Sequence, residues 1–316
     1  MENDMKTYTG FEAALEAGGI DFKKGELLSK YSTFKIGGPV DYSVFPSNEA
    51  ALKTAVDAAI KNGVCFITVG NGSDLLFDDA GFRGAIILTS SLKTVRIEGT
   101  KMTCGCGLPL TLASKLAADA GLSGLEFAFG IPGSVGGAVF MNAGAYGGQI
   151  SDVLSSCVLL DLNSFETITL KGDEMEFGYR HSLPAERGNM VVLSAEFSLS
   201  YGNSEEINLK MRELMGKRIS KQPLDMPSAG SVFKRPAPDV YVGKLIEDSG
   251  LKGHRIGGAE VSLKHAGFIV NAGGAKAEDV RALVGEIKDR IYNNYGVHLE
   301  CEIKYIPEKP DAAKKK

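Results

Sequence analysis

No stretch of this 316-residue chain approaches the ~18 consecutive apolar residues that would cross a bilayer. The first ten residues, MENDMKTYTG, are polar and hold no apolar signal core, so the sequence predicts a cytoplasmic protein without membrane insertion. Neither sign of charge dominates, since 35 Lys and Arg stand against 39 Asp and Glu. A net charge of −4 argues against nucleic acid or an anionic membrane as the main partner. Histidine is scarce and scattered, at His181, His254, His265 and His298, with no His-x-His or His-Glu-x-x-His spacing. No metal site is expected. The five cysteines, Cys65, Cys104, Cys106, Cys157 and Cys301, form no Cys-x-x-Cys and read as buried thiols. No internal repeat and no Gly-x-Ser-x-Gly elbow occurs, which leaves solenoids and serine hydrolases unsupported. Tryptophan is absent, which excludes nothing.

What is present is an ordinary globular mixture, 44% hydrophobic and 23% charged, with one excess. Glycine fills 39 of 316 positions, against an average of ~7%. The glycines cluster between apolar segments, as in loops that bring backbone close to a ligand. At ~150 residues per domain the length suggests about two domains.

Periodicity predicts a short helix around 11–17 and a helix over 48–61 capped by Ser47 and stopped by Gly63. Strands follow at 64–69 and 85–88, together suggesting a small βαβ-type unit. From Leu92 the texture turns to β, with a hairpin over 95–98 and 102–106, a helix over 110–120, and strands at 153–162, 167–170 and 191–201. Residues 130–148 read as one glycine-rich loop. A helix over 205–220 reads as a hinge, 222–238 as mostly loop, and 242–248 as helix. A strand at 267–270, an amphipathic helix over 278–295 and an alternating strand over 297–306 close the pattern. The class is α+β, not doubly wound.

Five segments could carry chemistry. Gly70-Asn71-Gly72-Ser73-Asp74-Leu75 follows a strand, and its small residues let backbone N–H groups converge on an anion. Leu75 stands where a Rossmann fingerprint needs glycine, and no Gly-Lys-Ser/Thr follows, so a tight connection is the plain alternative. Residues 130–147 carry almost no bulky polar side chain, which suits a large planar or phosphorylated cofactor. Arg180, in Tyr179-Arg180-His181-Ser182, is by default a solvated strand-end arginine. Ser231 sits beside Lys234 and Arg235, where a hydroxyl could protonate an anionic ligand or merely make a turn. Glu300 and Glu302 share a strand face that is ordinarily solvent-facing.

These motifs resemble, in order, those of the UDP-N-acetylenolpyruvoylglucosamine reductase (MurB) family of peptidoglycan precursor synthesis. The landmarks are Tyr31 to Gly38, Gly70 to Ser73, Gly130 to Gly137, Asn142 to Gly147, Tyr179 to Ser182, Ala229 to Lys234 and Leu299 to Ile303. One alone would be weak, but seven span nearly the whole chain. The short stretch between Arg180 and Ser231 resembles the subtype without a tyrosine-bearing loop over the substrate.

The resemblance implies an N-terminal extension (1–25) and a two-part FAD-binding domain of the vanillyl-alcohol-oxidase-like (PCMH-type) group (26–202, divided near 90). A substrate-binding α+β domain (203–308) and a disordered tail (309–316) would follow. It implies NADPH as hydride donor, FAD as relay, an enolpyruvyl ether of a UDP-sugar as acceptor, and a monomer. No His or Cys lies in a recognisable attachment motif, so the FAD is expected to be non-covalent. By similarity Arg180 and Glu302 stabilise an enolate and Ser231 protonates it. Facing an enolate, Glu302 should carry or share a proton. FAD contacts fall on Thr33, Ile36, Gly70, Asn71, Gly72, Ser73, Asp74, Leu75, Gly130, Pro132, Gly133, Ser134, Gly136, Gly137, Asn142, Gly144 and Arg218. Lys221, Arg235 and Lys252 fall on the nucleotide-sugar. Asp74 and Arg235 stand where the family usually has Asn, and a charge at 74 would oppose a pyrophosphate unless it points away. Another oxidoreductase of the same flavin fold, or a binding module without turnover, are the rival readings.

Overall fold

A computed structural model gives the structure over residues 7–309. The first layer holds α1 (Thr9–Ala17), β1 (Asp21–Lys24), β2 (Val40–Phe45), α2 (Glu49–Lys61), β3 (Phe66–Val69), β4 (Leu75–Phe77) and β5 (Phe82–Leu88). Its sheet runs β1-β2-β5-β3, with β2 and β3 both parallel to β5. The strands expected at 64–69 and 85–88, β3 and β5, therefore pair directly, and β5 separates β3 from β2, the strand before α2. Alternation did not announce β2, because residues 40–44 are buried on both faces, Asp41 and Ser43 included. The α2 cap is Asn48, not Ser47: its extended backbone lets Oδ1 accept from Ala51 N at 2.9 Å. Residues from Thr9 on, expected as an extension, are built into this layer through buried Phe11 and Leu15 and through β1.

The second layer holds β6 (Val95–Glu98), β7 (Lys101–Gly105), α3 (Leu110–Asp119), β8 (Leu122–Ser123), α4 (Val135–Phe140), β9 (Gly144–Ala145) and β10 (Gly148–Gln149). It continues with β11 (Leu154–Asp161), β12 (Thr167–Lys171), α5 (Leu183–Arg187), β13 (Met190–Ser198) and β14 (Ser200–Tyr201). Its antiparallel sheet runs β12-β11-β13-β7-β6. The loop expected over 130–148 is broken by α4. Ser134 caps it, accepting from Gly137 N at 3.3 Å, and Gly136 lets it approach Cys106, whose Cβ lies 2.8 Å from where a Cβ on Gly136 would sit. Cys104, Cys106 and Cys157 are buried, and burial pushes each thiol up to about 12. Cys65 is exposed, against expectation, and Cys301 is half-buried.

The third layer holds α6 (Ser204–Lys221), β15 (Ser228–Ser231), α7 (Val242–Asp248), β16 (Arg255–Ile256), β17 (Ala259–Val261), β18 (Phe268–Asn271), α8 (Ala277–Tyr295) and β19 (Lys304–Ile306). Its sheet runs β15-β18-β17-β16, so the loop expected over 222–238 contains a strand. The helix read as a hinge is anchored, since Ile207 and Met211 of α6 pack on Ala118 and Phe129. The strand expected over 297–306 is regular only in β19. Its earlier part changes partners, with Glu302 N donating to Val232 O at 2.8 Å before β19 pairs in parallel with β4. The burial alternation survives, with Leu299 and Ile303 inside.

The layers share their cores. Phe34, Ile36 and Leu76 of the first layer pack among Val232, Ile269 and Leu283 of the third. Asp79 caps α8 from outside it, accepting from Ala277 N at 2.8 Å and Glu278 N at 3.0 Å. Tyr305 donates to Asp78 across the same seam. Among the described residues no helix is long and apolar enough to cross a membrane. The tail beyond residue 309 lies outside the described residues.

Candidate active site

The three layers enclose a cleft of about 2320 Å³, larger than the ~300–1,000 Å³ that holds one small ligand. Residues 70–75, Pro132, Gly133, Ser134, Gly136, Gly137 and Gly144 form part of its wall. Here the chain is close-packed behind the wall. A Cβ on Gly72, whose φ is +59°, would run into the Tyr31 carbonyl oxygen. Thr33 lines the cleft and donates from Oγ1 to Ser228 O at 2.7 Å, tying the first layer to the third.

At one end sits an ion pair. Arg180 Nε donates to Glu302 Oε1 at 2.7 Å, with both side chains largely buried. Arg180 also donates from Nη2 to Gly144 O at 3.0 Å, and its guanidinium stands 5.0 Å from the Tyr179 ring centroid. Its φ of +54° is a costly conformation for an arginine, sustained by these contacts. Glu302 and Glu300 take different surroundings although they share a side of the segment. The Glu302 side chain is 15% exposed and meets Arg180, while that of Glu300 is 73% exposed and meets Lys234 at 2.5 Å. Ser231 lines the same cleft at the end of β15, and the next residue, Val232, is the one that holds the Glu302 backbone.

Two further groups bear on the pair. Asp74 is half-buried as a residue, but its Oδ2 is shut off from solvent without a hydrogen-bond partner. Burial, and then the nearby Glu302 charge, push its carboxyl up to about 8. Lys304 lies 4.0 Å from the Phe140 ring centroid, and burial holds its ammonium below the usual lysine range. Sequence reading missed Lys304 and Phe140. The only signal was the position of Lys304 two residues beyond Glu302.

Not every expected contact reaches the cleft wall. Ile36 is 2% exposed and packs in the third-layer core, because Lys35 at φ +58° turns the chain inward. Gly130 lies behind the wall, where a Cβ would meet Met215 Sδ at 2.7 Å and crowd Arg218. Asn142 is buried with its amide committed, Nδ2 donating to Gly178 O at 2.9 Å and Oδ1 accepting from Ser151 N at 3.0 Å. It braces the loop that carries Arg180. Lys221 is exposed at the end of α6, and Lys252 pairs with Glu247 at 3.1 Å. Arg235 does line the cleft, stacked 4.8 Å from the Tyr241 ring centroid.

Residues 222–306 match the family model described as UDP-N-acetylenolpyruvoylglucosamine reductase, C-terminal domain, and residues 40–171 match an FAD binding domain. A reductase of that name from Caldicellulosiruptor bescii is 47% identical over 300 residues, covering 94% of this chain and 95% of its own. One from Lactiplantibacillus plantarum is 45% identical over 289 residues, covering 92% and 95%. The crystal structure of UDP-N-acetylenolpyruvylglucosamine reductase from Thermus caldophilus superposes with a TM-score of 0.77 at 35% identity, covering 91% of this chain and 99% of that one.

The chain belongs to the UDP-N-acetylenolpyruvoylglucosamine reductase family.

It is an FAD-dependent oxidoreductase of that family, with an FAD-binding domain followed by the family's C-terminal domain. The cleft suits this cofactor. Its long wall of small residues admits a large ligand, and Arg218, buried and lining the cleft, leaves Nε without a partner. Its Nη1 donates to Gln222 Oε1 at 3.0 Å, and burial lowers its pKa, the expected response of a cation whose counter-charge would come from a ligand.

Proposed function

We propose that the chain reduces the enolpyruvyl ether of UDP-N-acetylglucosamine to UDP-N-acetylmuramate with NADPH as hydride donor, in peptidoglycan precursor synthesis. The observation that carries this reading is the Arg180–Glu302 pair held in the cleft beside Ser231. Bound FAD supplies the two-electron relay between NADPH and the sugar ether. Residues 70–75, 132–137 and Gly144, with Arg218, would hold it without a covalent bond.

Hydride arriving at the methylene carbon of the enolpyruvyl group leaves charge on the adjacent carbon, spread into the carboxylate. That charge needs a fixed partner. Arg180 is fixed before any substrate arrives, by Glu302, the Gly144 carbonyl and the Tyr179 ring. A cation already oriented loses little on meeting the developing enolate. Glu302 orients the guanidinium in the resting cleft, and to face the enolate itself it must carry or share a proton. The Ser231 hydroxyl makes only a long 3.5 Å contact to Phe233 O, so it is free to turn and donate its proton to carbon. Arg235 and Tyr241, at the more exposed part of the cleft, would take the nucleotide-sugar. The reading carries with it a cytoplasmic monomer.

The test is an anaerobic two-step spectrum of the holoenzyme. NADPH should bleach the visible flavin band, and the enolpyruvyl sugar nucleotide should restore it rapidly. A band that stays bleached would point to another acceptor. No band even after FAD is supplied would overturn the cofactor assignment.

A further inference from the structure

Beside the Arg180–Glu302 pair stands a second carboxyl, one that the proposed reaction does not use. Asp74 lines the same cleft. Its position is set by backbone, since its carbonyl accepts from Lys304 N at 2.9 Å where β4 meets β19. Its side chain is another matter, because Oδ2 is closed to solvent and has no hydrogen-bond partner. A carboxylate in that state loses its hydration without replacement, and the inexpensive solution is to take a proton. The charged groups that act on it are Glu302, Lys304, Arg180 and Lys234. None relieves it directly: Arg180 is committed to Glu302, Lys234 to Glu300, and Lys304 faces the Phe140 ring.

We propose that Asp74 is a pH-sensitive positioning residue of the reducing site. It holds a proton while the cleft works. On losing it, Asp74 adds an anion beside Arg180 and Glu302 and weakens the hold of Arg180 on the enolate. This rests on the function proposed above. A protonated carboxyl presents an O–H donor beside an acceptor oxygen and carries no charge to repel a neighbouring phosphate. The carboxyl pushed up to about 8 agrees with this.

The proton has a consequence that needs no turnover. An unfolded aspartate titrates near ~3.9, well below the folded value. Between the two, the folded chain holds a proton that the unfolded chain has released. The associated stability is therefore complete below about pH 4, and it is lost as pH rises toward the folded value. Above that value the dependence stops.

The experiment compares wild type with Asp74→Asn, both loaded with FAD, across pH 5 to 9. The first readout is the melting temperature. The variant should gain on wild type as pH rises and level off near pH 8. The second is the rate at which the enolpyruvyl sugar nucleotide restores the flavin band, each protein normalised to its own maximum. Wild type should fall about tenfold per pH unit above its alkaline inflection, and the variant should lose that inflection or move it up by about one unit or more. Asp74→Ser serves if the Asn variant fails to fold. Parallel melting curves would overturn the proposal, because Asp74 would then hold no extra proton. A melting difference with unchanged alkaline limbs would overturn it too, since the proton would be uncoupled from the site. A wild type that is reoxidised at no pH would sink the functional reading instead, and the melting curves would still decide where the proton resides.

Discussion

At the scale of single residues the two glutamates make the sharpest contrast. Glu302→Gln removes the negative charge that pairs with Arg180, leaving only a neutral amide oxygen to accept from it, and should slow flavin reoxidation by substrate by about 10²–10³-fold. Glu300→Gln loses only a solvent-exposed pair with Lys234 and should change that rate by no more than a few-fold. Stopped-flow reoxidation measures both, and the reverse ranking would mean that Glu300 is the active carboxylate. Ser231→Ala should leave flavin reduction by NADPH near normal while reoxidation falls by about 10²–10⁴-fold. Equal loss in the two half-reactions would contradict the proton-donor role. Motif order pointed to Arg180, Ser231 and Glu302, and all three line the cleft. It could not give the reason one glutamate meets Arg180 and the other meets water, because both occupy the same parity. That difference comes from what packs opposite, the loop braced by Asn142, and from an arginine backbone at positive φ that no periodicity reveals.

At the scale of elements, most helices and hairpins were legible because their apolar residues repeat at helical or alternate spacing. The failures have a common cause. The helix α4 is six residues long, rich in glycine, and defined by its Ser134 cap and its contact with β7 rather than by propensity. The strand β2 hides two polar residues inside, and Asp41 is paired with Arg83 at 2.9 Å. The segment before β19 divides its backbone hydrogen bonds between two partners. Asp79 is likewise invisible to sequence reading, since the helix it caps begins nearly two hundred positions later. Asp79→Ala should cost about 1 kcal/mol, the ordinary value of a lost helix cap, seen as a lower melting temperature with the far-ultraviolet spectrum unchanged. No shift in melting would mean that α8 finds its own cap in the variant.

At the scale of the whole molecule, the sequence divides where the packing does not. Length suggested about two domains, and the chain has an FAD-binding domain and the family's C-terminal domain, yet their cores interlock: Phe34, Ile36 and Leu76 lie in the core of the third layer, and β19 lies against β4 of the first. The cleft is the space these crossings leave between the layers. A chain ended at Ile303 lacks β19, and with it the partner of the Asp74 backbone. Such a protein should melt at lower temperature and retain markedly less FAD after gel filtration than the full chain. Equal FAD retention would show that the β4–β19 pairing does not support the cleft.

That pairing also bears on how the molecule is made. A ribosome delivers residues 75–77 early and residues 304–306 last among the described elements, yet the two lie side by side in the finished wall. Until the last strand emerges, β4 has an open edge and the Asp74 carbonyl lacks its partner. The first and second layers can collapse on their own apolar residues during synthesis, but the cleft cannot close over its cofactor. Closure of this wall is in this way deferred until residues 304–306 have been made.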